Sequence, residues 1–181
     1  MLILADVHGA FDALARVIAT GEKVLILGDL LNFVDYRTGE GIAADVFGFE
    51  FAQAATQFRR NGDFAGSRRL WRDRSAGREE EVRATVGRAI NSQYEAMQSA
   101  MQGGSGFVTH GNVDVPKLLE AHLPDGYRYL DGEVVEADGI RVGVVGGGTR
   151  TGLNSAGEIS EDDMATRLER LGPVDILGTH V

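Results

Sequence analysis

Apolar positions along the chain fall into short continuous runs that alternate with stretches of helical periodicity. "MLILAD" reads as a buried strand, and "KVLILGD", Lys23 to Asp29, reads as a second one. Between them "AFDALARVIAT" sets Phe11, Leu14, Val17 and Ile18 on one helical face. Strand, helix and strand at this spacing predict a βαβ unit whose two strands are parallel neighbours. In such sheets ligands collect beyond the carboxyl ends of the strands, and Asp6 and Asp29 stand there.

Residues from about 42 to 102 are helical in character. Phe47, Phe51, Ala54 or Ala55, and Phe58 follow one stripe, and Val82, Val86, Ile90, Tyr94, Met97 and Met101 follow another. Both stripes are expected to be core. Gly62, Gly66 and Gly77 are expected to divide the region into two or three helices forming an insertion or cap. "GFVTHGN" then resumes the strand pattern. "VVEADGIRVGVV" is two β-rich runs joined by Asp138-Gly139, the signal of a type I′ hairpin. "SEDDMATRLERLG" has Ser160 as N-cap, acids in its first turn and Gly172 beyond its end. "VDILGTHV" closes the pattern with another strand. The class is α/β, with a parallel start and added antiparallel strands, in one domain covering 1–181.

Composition narrows the chemistry. The 181 residues, 43% hydrophobic and 25% charged, suit one soluble globular domain. No stretch has the length of a membrane span, and "MLILAD" lacks the basic flank of a secretory signal, so the protein is read as cytoplasmic. With no cysteine, a metal must be held by His, Asp, Glu or Asn. The net charge of −9 argues against general affinity for nucleic acid. One segment runs the other way: from Arg59 to Arg88 nine arginines meet five acids, a net of +4. It is either a solvated helical face or, if it overhangs the site, a guide for an anionic substrate.

Four strand ends carry metal-capable side chains: Asp6 and His8 in "DVH", Asp29 in "GDLLN", Asn112 in "GNVD", and His180 in "GTH". Each alone is an ordinary turn or cap; their succession at strand ends is the specific feature. Two divalent cations about 4 Å apart can share a water, lower its pKa and present a hydroxide to a phosphate. A carboxylate between them, which suits Asp29, offsets their repulsion. Imidazole and carboxylate donors without thiolate favour Mn, Fe or Zn.

These motifs resemble the calcineurin-like metallophosphoesterase family, whose signature runs D-x-H, G-D, G-N-H-[DE], a histidine after a strand, then G-H-x-H. Asp6 and His8 match the first element, Asp29 the second, Asn112 the third and His180 the fourth. The resemblance implies a two-sheet αββα sandwich with a helical insertion. It also implies two divalent metal ions, the first on Asp6, His8 and Asp29, the second on Asp29, Asn112 and His180, with Asn112 also touching substrate. The implied reaction is hydrolysis of a phosphate mono- or diester, a small ester or a nucleotide, by a metal-activated hydroxide.

The chain departs from this pattern twice. In "GNVD", Val113 stands where the family carries a leaving-group histidine, a kind of general acid worth about 10²–10⁴ in rate. A diester is the more natural substrate without that acid, and neighbouring His110 is the candidate replacement. His122, in "KLLEAHLPDG", reads as a surface helix residue. Second, the G-H-x-H element and the last strands of the family's second sheet are not reached by Val181, so the fold is expected to be C-terminally incomplete. Each cation would then have two or three protein ligands. Both departures also motivate a rival, a binding or scaffold module that has kept the sandwich and lost catalysis. The run "VVGGGTRTG", Val144 to Gly152, resembles a phosphate-cradling loop but has no P-loop lysine and no helix directly after it. It is expected to be a glycine-rich loop at a sheet edge, with Thr149 and Arg150 as its polar residues.

Overall fold

The computed structural model describes residues 1–151 and 154–180. The chain begins as β1 (Leu2–Leu4), α1 (Phe11–Ile18) and β2 (Val24–Ile26), continues through α2 (Ile42–Phe47), α3 (Phe49–Arg60), α4 (Phe64–Ser75) and α5 (Glu79–Ala100), and reaches β3 (Gly106–Val108). It proceeds through α6 (Pro116–Ala121), β4 (Tyr127–Tyr129), β5 (Glu133–Ala137), β6 (Ile140–Val145), β7 (Gly148–Thr149), β8 (Glu158–Ile159), α7 (Glu161–Leu171) and β9 (Ile176–Thr179).

The first sheet has the order β1-β2-β3-β4 with every pair parallel, Leu2 opposite Val24 and Val24 opposite Gly106. The second has the order β5-β6-β9, antiparallel then parallel, and β7 pairs with β8 in a small third sheet. The predicted βαβ unit, hairpin and final helix all form. Asp138 and Gly139 both take positive φ, as a type I′ turn requires. The Ser160 hydroxyl accepts the Asp163 N–H as N-cap.

Strand alternation sorts the core into two layers. Val24, Ile26 and Val108 project from one face of the first sheet and pack with Leu14, Ile18, Tyr94, Met97 and Met101 of α1 and α5. Leu25 and Phe107 project from the other face and meet Val135, Val142 and Val144 of the second sheet. Beyond that sheet lies α7, whose Leu171 comes so close that a Cβ at Gly143 would stand 3.0 Å from it. The layers run helices, sheet, sheet, helix. Leu25 is fully buried between the sheets, so Leu25→Ala is expected to cost about 2–5 kcal/mol, read as a lower urea midpoint with an unchanged slope.

Three details differ from the sequence expectation. The opening strand is not buried: β1 is an edge strand, and Ile3 is 52% exposed. A run of aliphatics looks the same at an edge as at the centre of a sheet. The helical region holds four helices instead of two or three, with breaks at Gly48, Gly62 and Gly77, all at positive φ. Gly66 lies inside α4, where the Asp63 side chain caps its N–H and Phe58 leaves no room for a Cβ. Finally, the second stripe is not all insertion. Phe47, Phe51 and Trp71 form a separate aromatic cluster, but α5 buries Tyr94 and Met97 in the main core, as the crossover helix between β2 and β3. No helix among the described residues is long and apolar enough to cross a membrane.

Candidate metal centre

The loops after β1, β2 and β3 continue the parallel ladder past the strand ends. Asp6 N–H donates to Gly28 O, His8 N–H to Asp29 O, and Gly9 N–H to Leu30 O, at 2.9–3.1 Å. This carries the D-x-H loop along the G-D loop in register. The G-D and G-N loops approach more closely still. A Cβ at Gly28 would overlap the Gly111 backbone, and a Cβ at Gly111 would overlap the Asp29 carboxylate. The glycine in each dipeptide is there because the two backbones touch.

That convergence gathers the predicted residues. Asp6, His8 and Asp29 each offer a ligand atom, all within 4.8 Å of one another. His8 Nε2 lies 3.6 Å from Asp6 Oδ1 and 3.7 Å from Asp29 Oδ2. On the other side of the same oxygen, His180 Nε2 lies 3.4 Å from Asp29 Oδ2 and 3.3 Å from Asn112 Oδ1. Asp29 Oδ1 faces away and accepts the Val113 N–H at 3.0 Å. One carboxylate oxygen thus stands between two imidazoles. Asp6, His8 and Asp29 also all have positive φ, among only five non-glycine residues that do in the described chain. Such backbone strain concentrates at functional sites.

Each imidazole is fixed through its other nitrogen. His8 Nδ1 lies 3.1 Å from Leu31 O, and His180 Nδ1 lies 3.0 Å from Leu27 O. A carbonyl only accepts, so Nδ1 carries the hydrogen and Nε2 of the neutral ring presents a lone pair. That lone pair faces carboxylate and amide oxygens. Positive charge between these facing acceptors, a proton or a cation, would turn their opposition into attraction. Separations of 3.3–3.7 Å are long for an N–H···O bond. They match two donors on one ion, with bonds of about 2.0–2.2 Å. The donor set, nitrogen and oxygen without sulfur, fits divalent cations on both sides of Asp29.

The charges follow. Burial alone would raise the Asp29 pKa, but the facing His180 imidazole, the Val113 N–H and the charges of His180 and His8 hold it below the usual carboxylate value. His180 is raised, chiefly by the Asp29 carboxylate, against the opposing effect of burial. In chelator, therefore, the His180 contribution to stability is fully present below its unfolded pKa of about 6.5. It is lost as pH rises through the higher folded value. Asp29's contribution is present above about pH 4 and lost in acid. Scanning calorimetry of metal-free protein at pH values rising from the ordinary histidine pKa of about 6.5 is expected to show a falling melting temperature. His180→Ala flattens that fall. Added Mn²⁺ is expected to stabilise more at the alkaline end, because a cation bound there would have to displace the Nε2 proton.

His110 does not join the cluster. It is buried, its Nδ1 meets the Tyr129 hydroxyl at 2.6 Å, and its ring leaves no room for a Cβ at Gly146, the residue after β6. Burial pushes its pKa down, with Arg167 and His180 adding to this against Asp131. His122 is half-buried, stacked on Tyr94 at 5.7 Å with Nδ1 on Leu118 O, and is not the surface residue expected. The glycine run begins where β6 ends. Gly147 N–H donates to His110 O, and a Cβ at Gly148 would stand 2.9 Å from Asn112 Cβ. Its glycines let the second sheet press against the G-N loop; Gly152, its last residue, lies outside the described residues. No family model, curated protein or solved structure matches this chain.

Sequence reasoning missed Asp114. Its fully buried carboxylate accepts N–H groups from Leu30, Leu31 and Gly111 at 2.9–3.3 Å and lies 3.5 Å from the Tyr94 hydroxyl. Burial raises its pKa against the pull of those N–H groups. Tyr94 in turn accepts the Val115 N–H, and Gln93 brackets Asn32 through both its N–H and its C=O. The available signal was an acid inside the apolar run "VDVPKLL". Tyr94 was legible only as core, since nothing in a stripe shows that a hydroxyl at its end is used.

Proposed function

We propose that this chain is a metal-dependent phosphoesterase of the calcineurin-like kind, on a two-sheet sandwich of that type. The observation that carries this is the Asp29 oxygen held between two imidazoles whose lone pairs face carboxylate and amide oxygens. Asp6, His8 and Asp29 would hold one divalent cation; Asp29, Asn112 and His180 would hold the other, with Mn, Fe or Zn fitting the donors. When bound, such a pair supplies an activated water and neutralises charge on a phosphoryl group.

The chain's own residues do the rest. The Leu27 and Leu31 carbonyls fix the two imidazoles in one tautomer. The Val113 N–H orients the shared carboxylate. Val113 itself has no proton to give a leaving group, which favours diesters over monoesters of poor leaving groups, and the buried contact of His110 Nδ1 with Tyr129 does not supply one at this point. Arg59 and Arg68 of the basic segment border a cavity that also includes Val113, and this supports the reading of that part of the segment as a guide for an anionic ester. Its other arginines are exposed, and Arg60, Arg72, Arg74 and Arg78 bond to protein oxygens.

The test is titration with Mn²⁺ followed by manganese-dependent hydrolysis of a chromogenic phosphodiester, with chelator as control. Saturable Mn²⁺ binding with chelator-sensitive turnover is the expected result. Binding without turnover of mono- or diesters selects the rival, a binding module. No Mn²⁺ uptake at millimolar supply overturns the proposal.

A further inference from the structure

A cavity of about 600 Å³ opens beside the candidate metal centre, between α3, α4 and α5 and the loops that follow β2 and β3. Phe33, Tyr36, Arg59, Trp71, Ile90 and Val113 line it. One residue links it to the cluster: Val113 lies on the cavity wall and donates its N–H to Asp29, although none of the five candidate ligands lines the cavity itself. Burial pushes the Tyr36 phenol up, Arg59 pulls against that, and the Asp29 charge adds to the rise. Val113 and the Asp29–Tyr36 interaction put this cavity within reach of a group esterified to a phosphoryl at the cluster.

The wall selects for a flat ring. Trp71 is locked edge-on against Phe47 at 5.3 Å and Phe51 at 4.8 Å, and Phe33 tilts against it at 5.8 Å. Rings already immobilised in this way lose little freedom when a further ring stacks on them. The Arg59 guanidinium sits 4.7 Å over the Tyr36 ring, holding a positive charge at the aromatic wall. Ser67 and Asn154, also at the cavity, can pair with ring heteroatoms. The volume lies within the range of about 300–1,000 Å³ typical of small-ligand sites.

We infer that this cavity is a subsite for a planar aromatic group carried by the phosphate ester, formed by Phe33, Tyr36 and Trp71 with Arg59 at its wall. The inference rests on the phosphoesterase reading for the position of the phosphoryl group. Two sources share this chemistry, a nucleobase and a simple aryl ester.

Trp71 is the only tryptophan in the chain, so its emission reports occupancy without any turnover. The probes are adenosine 5′-monophosphate and phenyl phosphate, against ring-free ribose 5-phosphate and methyl phosphate, each titrated with and without Mn²⁺. Ring-bearing probes are expected to change the emission saturably and to bind about tenfold or more tighter than ring-free ones. Phe33→Leu is expected to weaken the ring-bearing probes about three- to tenfold and leave the others unchanged. Tyr36→Leu serves if Phe33→Leu does not fold. The tighter of the two ring-bearing probes identifies the source. Equal affinity for all four probes overturns the subsite, even if hydrolysis is observed. Ring preference without metal-dependent hydrolysis retains the subsite and removes the phosphoesterase reading.

Discussion

Asp29→Ala is expected to lower manganese-dependent phosphodiester hydrolysis by about 10³-fold or more, with a stability loss of about 1–3 kcal/mol from the Val113 N–H left without its acceptor. The magnitude follows from the place of one oxygen. Oδ2 faces His8 Nε2 at 3.7 Å and His180 Nε2 at 3.4 Å, so its removal strips a donor from both candidate cation positions at once. It also leaves their mutual repulsion uncompensated. Metal stabilisation of transition-state charge amounts to several kcal/mol, and each 1.36 kcal/mol is tenfold in rate. Asp6→Ala, at a 63% exposed side chain contributing to one side only, is expected to cost less. The measurement is kcat/KM beside Mn²⁺ affinity for both variants. Equal rates for Asp29→Ala and wild type would defeat the metal centre.

The second large effect is on stability. Asp114→Ala leaves the buried N–H groups of Leu30, Leu31 and Gly111 without an acceptor. Each such loss costs about 1–3 kcal/mol, and the expected total is about 3–5 kcal/mol once the loops relax. For a chain of this size that is roughly 6–20 °C in melting temperature. Asp114→Asn keeps an acceptor oxygen but points an amide N–H₂ at one of the donors, so about 1–3 kcal/mol is expected. Because the braced loops carry Asp29 and Asn112, Mn²⁺ affinity should fall about 10- to 100-fold in either variant. A melting temperature within 2 °C of wild type, below what about 1 kcal/mol would shift, would show that Asp114 is no brace.

The residues of this centre were legible because chemistry and strand ends coincide along the chain. Asp6, His8, Asp29, Asn112 and His180 each follow an apolar run, and parallel topology puts such ends on one side. What holds them together was not legible. The Gly28–Gly111 contact, the Asp114 brace and the Gln93 clamp on Asn32 join positions 61 to 84 residues apart, and no local pattern encodes such pairs. His110 shows the same limit from the other side. Its neighbourhood in sequence suggested chemistry, but a side chain two positions before Asn112 turns to Tyr129 and Gly146.

The edge position of β1 divides the centre dynamically. Within the described chain β1 pairs with β2 alone, and Asp6 and His8 ride on it. The loops bearing Asp29 and Asn112 are pinned by Asp114 from below. Opening the outer ladder releases one half of the centre and leaves the other half standing. Amide exchange at Leu4 and His8 should therefore outpace that at Ile26 and Val108 by orders of magnitude. For a cation held at this centre, the loose margin of the sheet would be the doorway, and its fraying rate would set the tempo of exchange.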